Sequence, residues 1–167
     1  MSAALPDAES LLPALAAGLR GRVTPATAMI GLYTGGVWLA ERLHAMLQLA
    51  EPLGVMDVAF YRDDFDRKGL KPQPRRTRIP FEVEGRDLLL VDDVLYTGRT
   101  VRAAMNELFD YGRPRSIALV VLADRGGRQL PICPQACGAT VDVPAGMRLR
   151  LKRAADGRLH LELEHAA

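Results

Sequence analysis

Apolar residues recur with two different periods along this chain, and each change of period marks an element. Leu12, Leu15, Ala16 and Leu19 fall at i, i+3, i+4 and i+7, the spacing of one helix face. Pro13 is read near the start of that helix, where a missing N–H is tolerated. Ala28 to Leu32 reads as a short buried strand, and Tyr33-Thr34-Gly35-Gly36 as a turn feeding a second helix. Leu39, Leu43, Met46, Leu47 and Ala50 form that helix's apolar stripe, and Pro52-Leu53-Gly54 supplies its stop. Val55 to Tyr61 is the next predicted strand. Asp87-Leu88-Leu89-Leu90-Val91 then opens a strand apolar enough to be buried on both faces. Val101, Ala104, Met105, Leu108 and Phe109 predict a helix closed by Gly112 and Pro114, and Ser116 to Ala123 another buried strand. The alternation of strands and helices favours a parallel sheet covered on both faces.

The C-terminal pattern switches to period two. Leu149 and Leu151 alternate with Arg148, Arg150 and Lys152, and Leu159, Leu161 and Leu163 with His160, Glu162 and Glu164. Asp156-Gly157 supplies the turn, so residues of about 147–164 predict a hairpin with one apolar face. Between Arg62 and Pro80 periodicity fails altogether. Pro72, Pro74, Pro80 and Gly69 punctuate a loop with seven basic and three acidic side chains, a local excess above the whole chain's net +2. A loop of this length inside a compact domain is usually functional.

Bulk properties narrow the class without naming it. With 167 residues the chain is read as one domain, and 49% hydrophobic with 25% charged residues is ordinary for a globular protein. A charge of +2 offers no general argument for nucleic acid. No apolar run approaches the ~20 residues that span a bilayer, and the N-terminus lacks a basic signal region. A cytoplasmic location is expected. Cys133 and Cys137 have no neighbouring His, which makes a poor zinc site, and they are expected as reduced thiols.

The chemistry concentrates in Val91-Asp92-Asp93-Val94-Leu95-Tyr96-Thr97-Gly98-Arg99-Thr100. Two carboxylates end a strand, and a Thr-Gly-Arg-Thr turn opens a helix. Helix-start N–H groups and hydroxyls accept a phosphate, and carboxylates accept hydrogen bonds from sugar hydroxyls or face Mg²⁺. The plainer reading makes the carboxylates strand-end solvation and Thr97 or Thr100 an N-cap.

This run resembles the ribose-phosphate signature of type I phosphoribosyltransferases, which bind 5-phosphoribosyl 1-pyrophosphate (PRPP). The resemblance implies an α/β fold with a helix-flanked parallel sheet and a small C-terminal hood. By it, Asp92 and Asp93 hold the ribose hydroxyls, and Thr97, Gly98, Arg99 and Thr100 wrap the 5′-phosphate. Thr34, Gly35 and Gly36 match the pyrophosphate loop, and Mg²⁺ accompanies PRPP, with Asp92 and Asp93 as its candidate ligands. Tyr61-Arg62-Asp63-Asp64, together with Gly112-Arg113-Pro114 through Asp124-Arg125-Gly126, narrows the resemblance to the pyrimidine operon regulator/uracil phosphoribosyltransferase (PyrR) family.

The activity so implied is UMP and pyrophosphate from uracil and PRPP, with a regulatory role in pyrimidine biosynthesis. Arg62, on a lid of about residues 62–80, is a candidate catalytic contact to pyrophosphate. Asp124, Arg125 and Gly126 are candidates for the base, and a homo-oligomer is expected. Tyr96 argues against a 6-oxopurine enzyme, where an Asp acts as acid or base; a phenol of pKa near ~10 cannot serve as that base. It is expected to pack beneath the phosphate loop. His44, His160 and His165 form no nucleophile–base pair.

Two departures from the family matter. The pyrophosphate turn lacks the Lys and Arg of Lys-Thr-Arg-Gly. A UMP-responsive RNA-binding regulator is the alternative of a different class, and a PRPP or nucleotide sensor without turnover a third. In the segment resembling the family's RNA-contacting Gly-His-Arg-Glu-Leu-Pro-Ile-Arg, Gly126 to Cys133 keeps only Arg128, and Ala139 stands near an expected Lys. Phosphate contacts dominate nucleic-acid affinity, so RNA binding is disfavoured.

Overall fold

A computed structural model describes residues 4–58 and 77–166. The elements are α1 (Ala8–Leu19), β1 (Thr27–Leu32), α2 (Gly35–Leu47), β2 (Gly54–Met56), β3 (Asp87–Leu95), α3 (Arg99–Leu108), β4 (Ser116–Asp124), β5 (Ala136–Thr140), β6 (Met147–Arg153) and β7 (Leu159–His165). Strands β2-β1-β3-β4-β5, in that order, form one sheet in which every pairing is parallel. β6 and β7 form a separate antiparallel pair. This is the type I phosphoribosyltransferase architecture expected from the sequence.

Strand alternation divides the core. Met29, Leu89, Val91, Val120 and Leu122 face α1, α2 and the hairpin, whose Leu149, Leu151, Leu159 and Leu161 join the same cluster. Ala28, Ile30, Leu32, Leu88, Leu90, Leu119 and Val121 face the other way, onto Val101, Ala104 and Leu108 of α3. Both faces are thus covered, as an all-parallel sheet requires. Because the strands run one way, the chain leaves β1, β3 and β4 on one edge, where ligands bind in such sheets.

Several boundaries differ from the sequence reading. Pro13 lies inside α1, not near its start, because Asp7 caps the helix by accepting the Glu9 N–H. The proline ring projects on the exposed side. Helix α2 stops at Leu47, where Gln48 adopts a left-handed conformation, and Ala50 lies beyond it, exposed. β2 is only Gly54–Met56, short of the expected Val55–Tyr61, and residues 59–61 lie outside the described residues. Phe109 caps α3 with 56% of its surface exposed, so it is not on the apolar stripe.

β5 had no apolar pattern to announce it. Its small residues serve contact: a Cβ on Gly138 would sit 2.6 Å from the Leu122 carbonyl oxygen and 3.4 Å from Leu11. The absence of side chains lets α1 lie against the sheet edge.

Candidate active site

Asp92 and Asp93 end the apolar run of β3 and face the cleft beyond the sheet. Asp92 is 4% exposed, and its Oδ1 accepts the Asp93 N–H at 3.0 Å. A carboxylate is kept at this depth only with polar partners, so the position is costly unless used. Thr97 is equally buried, and its Oγ1 accepts the Arg99 N–H at 3.2 Å. The N-cap of α3 is Gly98, which has no side-chain cap, so Thr97 is not the N-cap; its hydroxyl holds the turn one residue earlier. Gly98, at φ +91°, precedes α3, and a Cβ there would meet Ile132 Cγ1 at 2.9 Å. The turn needs glycine for both its conformation and its packing.

A cleft of about 560 Å³ opens above these groups. Asp92, Asp93, Thr97 and Thr100 form one wall; Arg125, Arg148 and Arg150 and the 143–147 segment before β6 form the other. Arg148 and Arg150 lie on the polar side of the hairpin predicted to have one apolar face. Arg150 does pair across the hairpin with Glu164 at 3.0 Å, as Lys152 does with the same carboxylate, yet Arg148 and Arg150 also border the cleft. The switch to period two locates the face opposite the leucines; it gives no sign of what that face overlooks.

Tyr96 does not pack beneath the phosphate loop. It is 41% exposed and borders the cleft, with the Arg125 guanidinium 4.1 Å from its ring centroid, a favourable cation–π distance. Gly127 makes room, since a Cβ there would lie 2.4 Å from Tyr96 Cε2. Arg125 also donates to the Met147 carbonyl at 3.3 Å, tying the β4 end to the hood.

Asp124 and Gly126, by contrast, are not in the cleft wall. The Asp124 carboxylate accepts the Gly126 N–H at 2.9 Å and an Arg128 N–H at 2.6 Å, and Arg128 also donates to the Tyr96 carbonyl at 2.6 Å. These bonds brace the loop that presents Arg125. Arg99 is likewise not in the cleft wall; at 2.9 Å it donates to Oε1 of Gln129, which is.

The turn after β1 meets the dyad from behind. The Tyr33–Thr34 peptide is cis, and Thr34 begins α2 with no side-chain cap. A Cβ on Gly35 would be 2.3 Å from Asp93 Oδ2, and one on Gly36 would be 2.6 Å from the Val91 carbonyl oxygen. Arg62 and the Tyr61–Asp64 segment lie outside the described residues. Residues 77–80, the end of the expected lid, are described, and they are fixed to the sheet edge. Arg78 and Val55 exchange backbone hydrogen bonds of 2.8 and 2.9 Å, and Thr77 donates to Glu107 at 3.0 Å.

Among the described residues no three His, Cys, Asp or Glu side chains cluster as a metal cage. Two adjacent carboxylates at a cleft suit Mg²⁺, which is commonly held by one or two carboxylates plus substrate oxygens. The donor set fits an ion that arrives with a polyphosphate. Cys133 and Cys137 are free thiols, and burial pushes the Cys137 thiol pKa up, away from thiolate chemistry. No described helix is long and apolar enough to cross a membrane.

A parallel sheet with a carboxylate pair and a phosphate-type turn at its C-terminal edge defines the phosphoribosyltransferase class. A family model described as a phosphoribosyl transferase domain matches residues 11–139. The fold alone is shared with a Staphylococcus aureus hypoxanthine phosphoribosyltransferase at TM-score 0.66 and 20% identity, covering 83% of this chain and 75% of that one. A purine phosphoribosyltransferase from Pyrococcus horikoshii gives TM-score 0.61 at 25% identity, covering 80% and 82%.

Sequence relatives are far nearer. The "Bifunctional protein PyrR" of Pseudomonas paraeruginosa is 50% identical over 151 residues, covering 88% of this chain and 89% of its own. That of Pseudomonas fluorescens Pf-5 is 48% identical over 167 residues, covering 98% of each. The chain belongs to the PyrR family of phosphoribosyltransferases.

Proposed function

We propose that this protein makes UMP and pyrophosphate from uracil and PRPP. The observation that carries the reading is the cleft itself: Asp92, Asp93, Thr97 and Thr100 on one wall face Arg125 and the hairpin hood on the other. The first wall suits a ribose 5-phosphate. Asp92 and Asp93 accept the 2′- and 3′-hydroxyls, while Thr97, Gly98 and Thr100 with the backbone N–H groups opening α3 take the phosphate. Arg99 contributes its backbone here, since its side chain is bound to Gln129. Arg125, stacked on Tyr96, and the hood give the base its wall; Asp124 and Gly126 act through the loop they brace.

N1 of uracil replaces pyrophosphate at ribose C1, and such transfers develop oxocarbenium character on the sugar. Positioning and charge are enough; no covalent nucleophile is required. Asp92 and Asp93 would hold Mg²⁺ together with the substrate, and the ion would supply neutralisation of the pyrophosphate charge. The backbone of Thr34, Gly35 and Gly36 serves the pyrophosphate, with Arg62 as the contact from the charged segment. Assembly into a homodimer or larger oligomer belongs to the same proposal and is read by sedimentation equilibrium.

The relatives' description as bifunctional supports a regulatory role beside the enzyme. The arrangement of Arg128 weighs against strong RNA binding, because the one cation kept in the resembling segment is bonded to Asp124 and Tyr96. Pyrimidine-leader RNA is expected to bind no more tightly than a scrambled control at ~150 mM salt. Tight, UMP-enhanced, sequence-specific binding would reverse this.

The deciding experiment is UMP formation from radiolabelled uracil, PRPP and Mg²⁺, beside hypoxanthine, adenine and orotate and an Asp93→Asn protein. UMP that collapses in the variant is expected. No product with any base, while PRPP still binds, would mean a sensor.

A further inference from the structure

The hood is fastened to the core at the end farthest from the cleft. Glu9, in the first turn of α1, accepts the Leu159 N–H at 2.7 Å through Oε1, and the same oxygen accepts from Arg42 of α2 at 3.0 Å. Arg42 also donates to the Gly157 carbonyl at 3.0 Å. Two helices and the hairpin turn therefore meet in one network of three bonds. Beside it, Arg153 pairs with Glu41 at 3.6 Å and lies 4.9 Å above the Trp38 ring, both on α2.

We propose that Glu9 and Arg42 are positioning residues for the transfer reaction, setting the angle at which the hood covers the base. β6 and β7 pair from Met147↔His165 at one end to Arg153↔Leu159 at the other. The first end borders the cleft through Met147, Arg148 and Ala166. The second is held by the clasp, roughly 20 Å away along a seven-residue strand. The hairpin's buried leucines attract it to the core without specifying direction, because apolar burial is non-directional. Hydrogen bonds to a backbone N–H and a carbonyl do specify one. A hairpin released at the clasp end can pivot on its leucines, and the pivot displaces Arg148 and the 143–147 segment at the cleft.

Helix α2 adds a second consequence. It carries Arg42, Glu41 and Trp38 toward the hood, and its N-terminus is the Thr34–Gly36 turn abutting the dyad. One rigid element thus references both the hood and the sugar side of the site.

The inference rests on the uracil transferase reading, and its test separates the two. Glu9→Ala, Glu9→Gln and Arg42→Met are compared with the parent for KM of uracil, KM of PRPP, kcat and Trp38 emission. Trp38 is the sole tryptophan, so its emission reports the hood contact without any substrate. Glu9→Ala and Arg42→Met are expected to raise the uracil KM about tenfold, the loss of roughly one oriented hydrogen bond, with PRPP KM and kcat within about twofold. Their Trp38 emission shifts while far-ultraviolet circular dichroism is unchanged. Glu9→Gln keeps a carbonyl for the Leu159 N–H and restores most of the uracil KM.

Unchanged uracil KM and unchanged emission in Glu9→Ala refute the proposal. Equal rises in both KM values, or no rescue by Glu9→Gln, reduce the clasp to general stability and refute it as well. If the parent makes no UMP, the transferase reading fails, while emission and hairpin amide exchange still decide whether the clasp aims the hood.

Discussion

Gly35→Ala tests whether the turn after β1 and the carboxylate of Asp93 act as one device. An ideal Cβ at Gly35 would lie 2.3 Å from Asp93 Oδ2, 2.7 Å from Cγ and 2.9 Å from Cβ. Ordinary contact requires more than 3 Å, so the carboxylate must retreat by about 1 Å or rotate. A retreat of that size breaks a hydrogen bond to a sugar hydroxyl. A bond to a charged group is worth about 1.5–3 kcal/mol, so kcat/KM should fall roughly 10- to 150-fold at 1.36 kcal/mol per decade.

Stability should not follow activity in this variant. Gly35 is the first residue of α2, where alanine is at worst neutral for a helix; the carboxylate can rotate aside, and Asp93 Cβ at 2.9 Å asks for a backbone shift of only a few tenths of an ångström. The melting temperature is expected within about 4 °C of the parent. Steady-state kinetics and a thermal scan on the same preparation make the measurement. The decisive control is Asp93→Ala: with the carboxylate removed, adding Gly35→Ala should change kcat/KM by no more than about twofold, since the two are coupled only through that contact. Full activity in Gly35→Ala would sink the reasoning. So would a further large loss in the Asp93→Ala background, which would mean that the added methyl disturbs the turn's own backbone rather than the Asp93 carboxylate.

Gly36→Ala should behave oppositely, because its Cβ would meet the Val91 carbonyl at 2.6 Å and Asp92 Cα at 3.0 Å, backbone atoms that cannot step aside; a loss of about 1–3 kcal/mol in denaturant unfolding is expected. Gly98→Ala, forced to φ +91° against Ile132, should lower stability by about 1–3 kcal/mol and raise the PRPP KM. Asp87 is held down to about 2 from 3.8 by hydrogen bonds from Arg115 and Ser116. Its depressed pKa means a contribution fully present above pH 3.8 and lost as pH falls toward 2, so Asp87→Asn should flatten that part of the acid-unfolding curve. A chelator is expected to abolish UMP formation without moving the melting temperature of the substrate-free protein, because the carboxylate pair needs the substrate to complete the ion's shell.

The wall proposed for the sugar was legible as one cluster because it is local. Strand, carboxylate pair, turn and helix occupy consecutive residues, and the structure places Asp92, Asp93, Thr97 and Thr100 together on one wall. The hood side is assembled from distant residues. Glu9 meets Leu159 across 150 positions and Arg42 meets Gly157 across 115, distances over which no periodicity speaks. Tyr96 was misplaced for a related reason: its partner, Arg125, comes from the next strand's end, and only the parallel register of β3 on β4 brings them side by side. β5 was missed because its evidence is the lack of side chains, which reads as a loop until a helix is seen resting on it.

One apolar cluster unites α1, α2 and the hairpin, and the order of synthesis gives that arrangement a cost. The sheet and its carboxylate wall are complete in the chain by Thr140, before Met147 is made. Until Leu149, Leu151, Leu159 and Leu161 arrive, the surface they cover on the first two helices is bare. A nascent chain therefore passes through a stage with half of the cleft formed and a greasy face open to other chains, the kind of interval in which aggregation competes with folding. A ribosome stalled in the hairpin should leave a product recognised by chaperones rather than a slower enzyme.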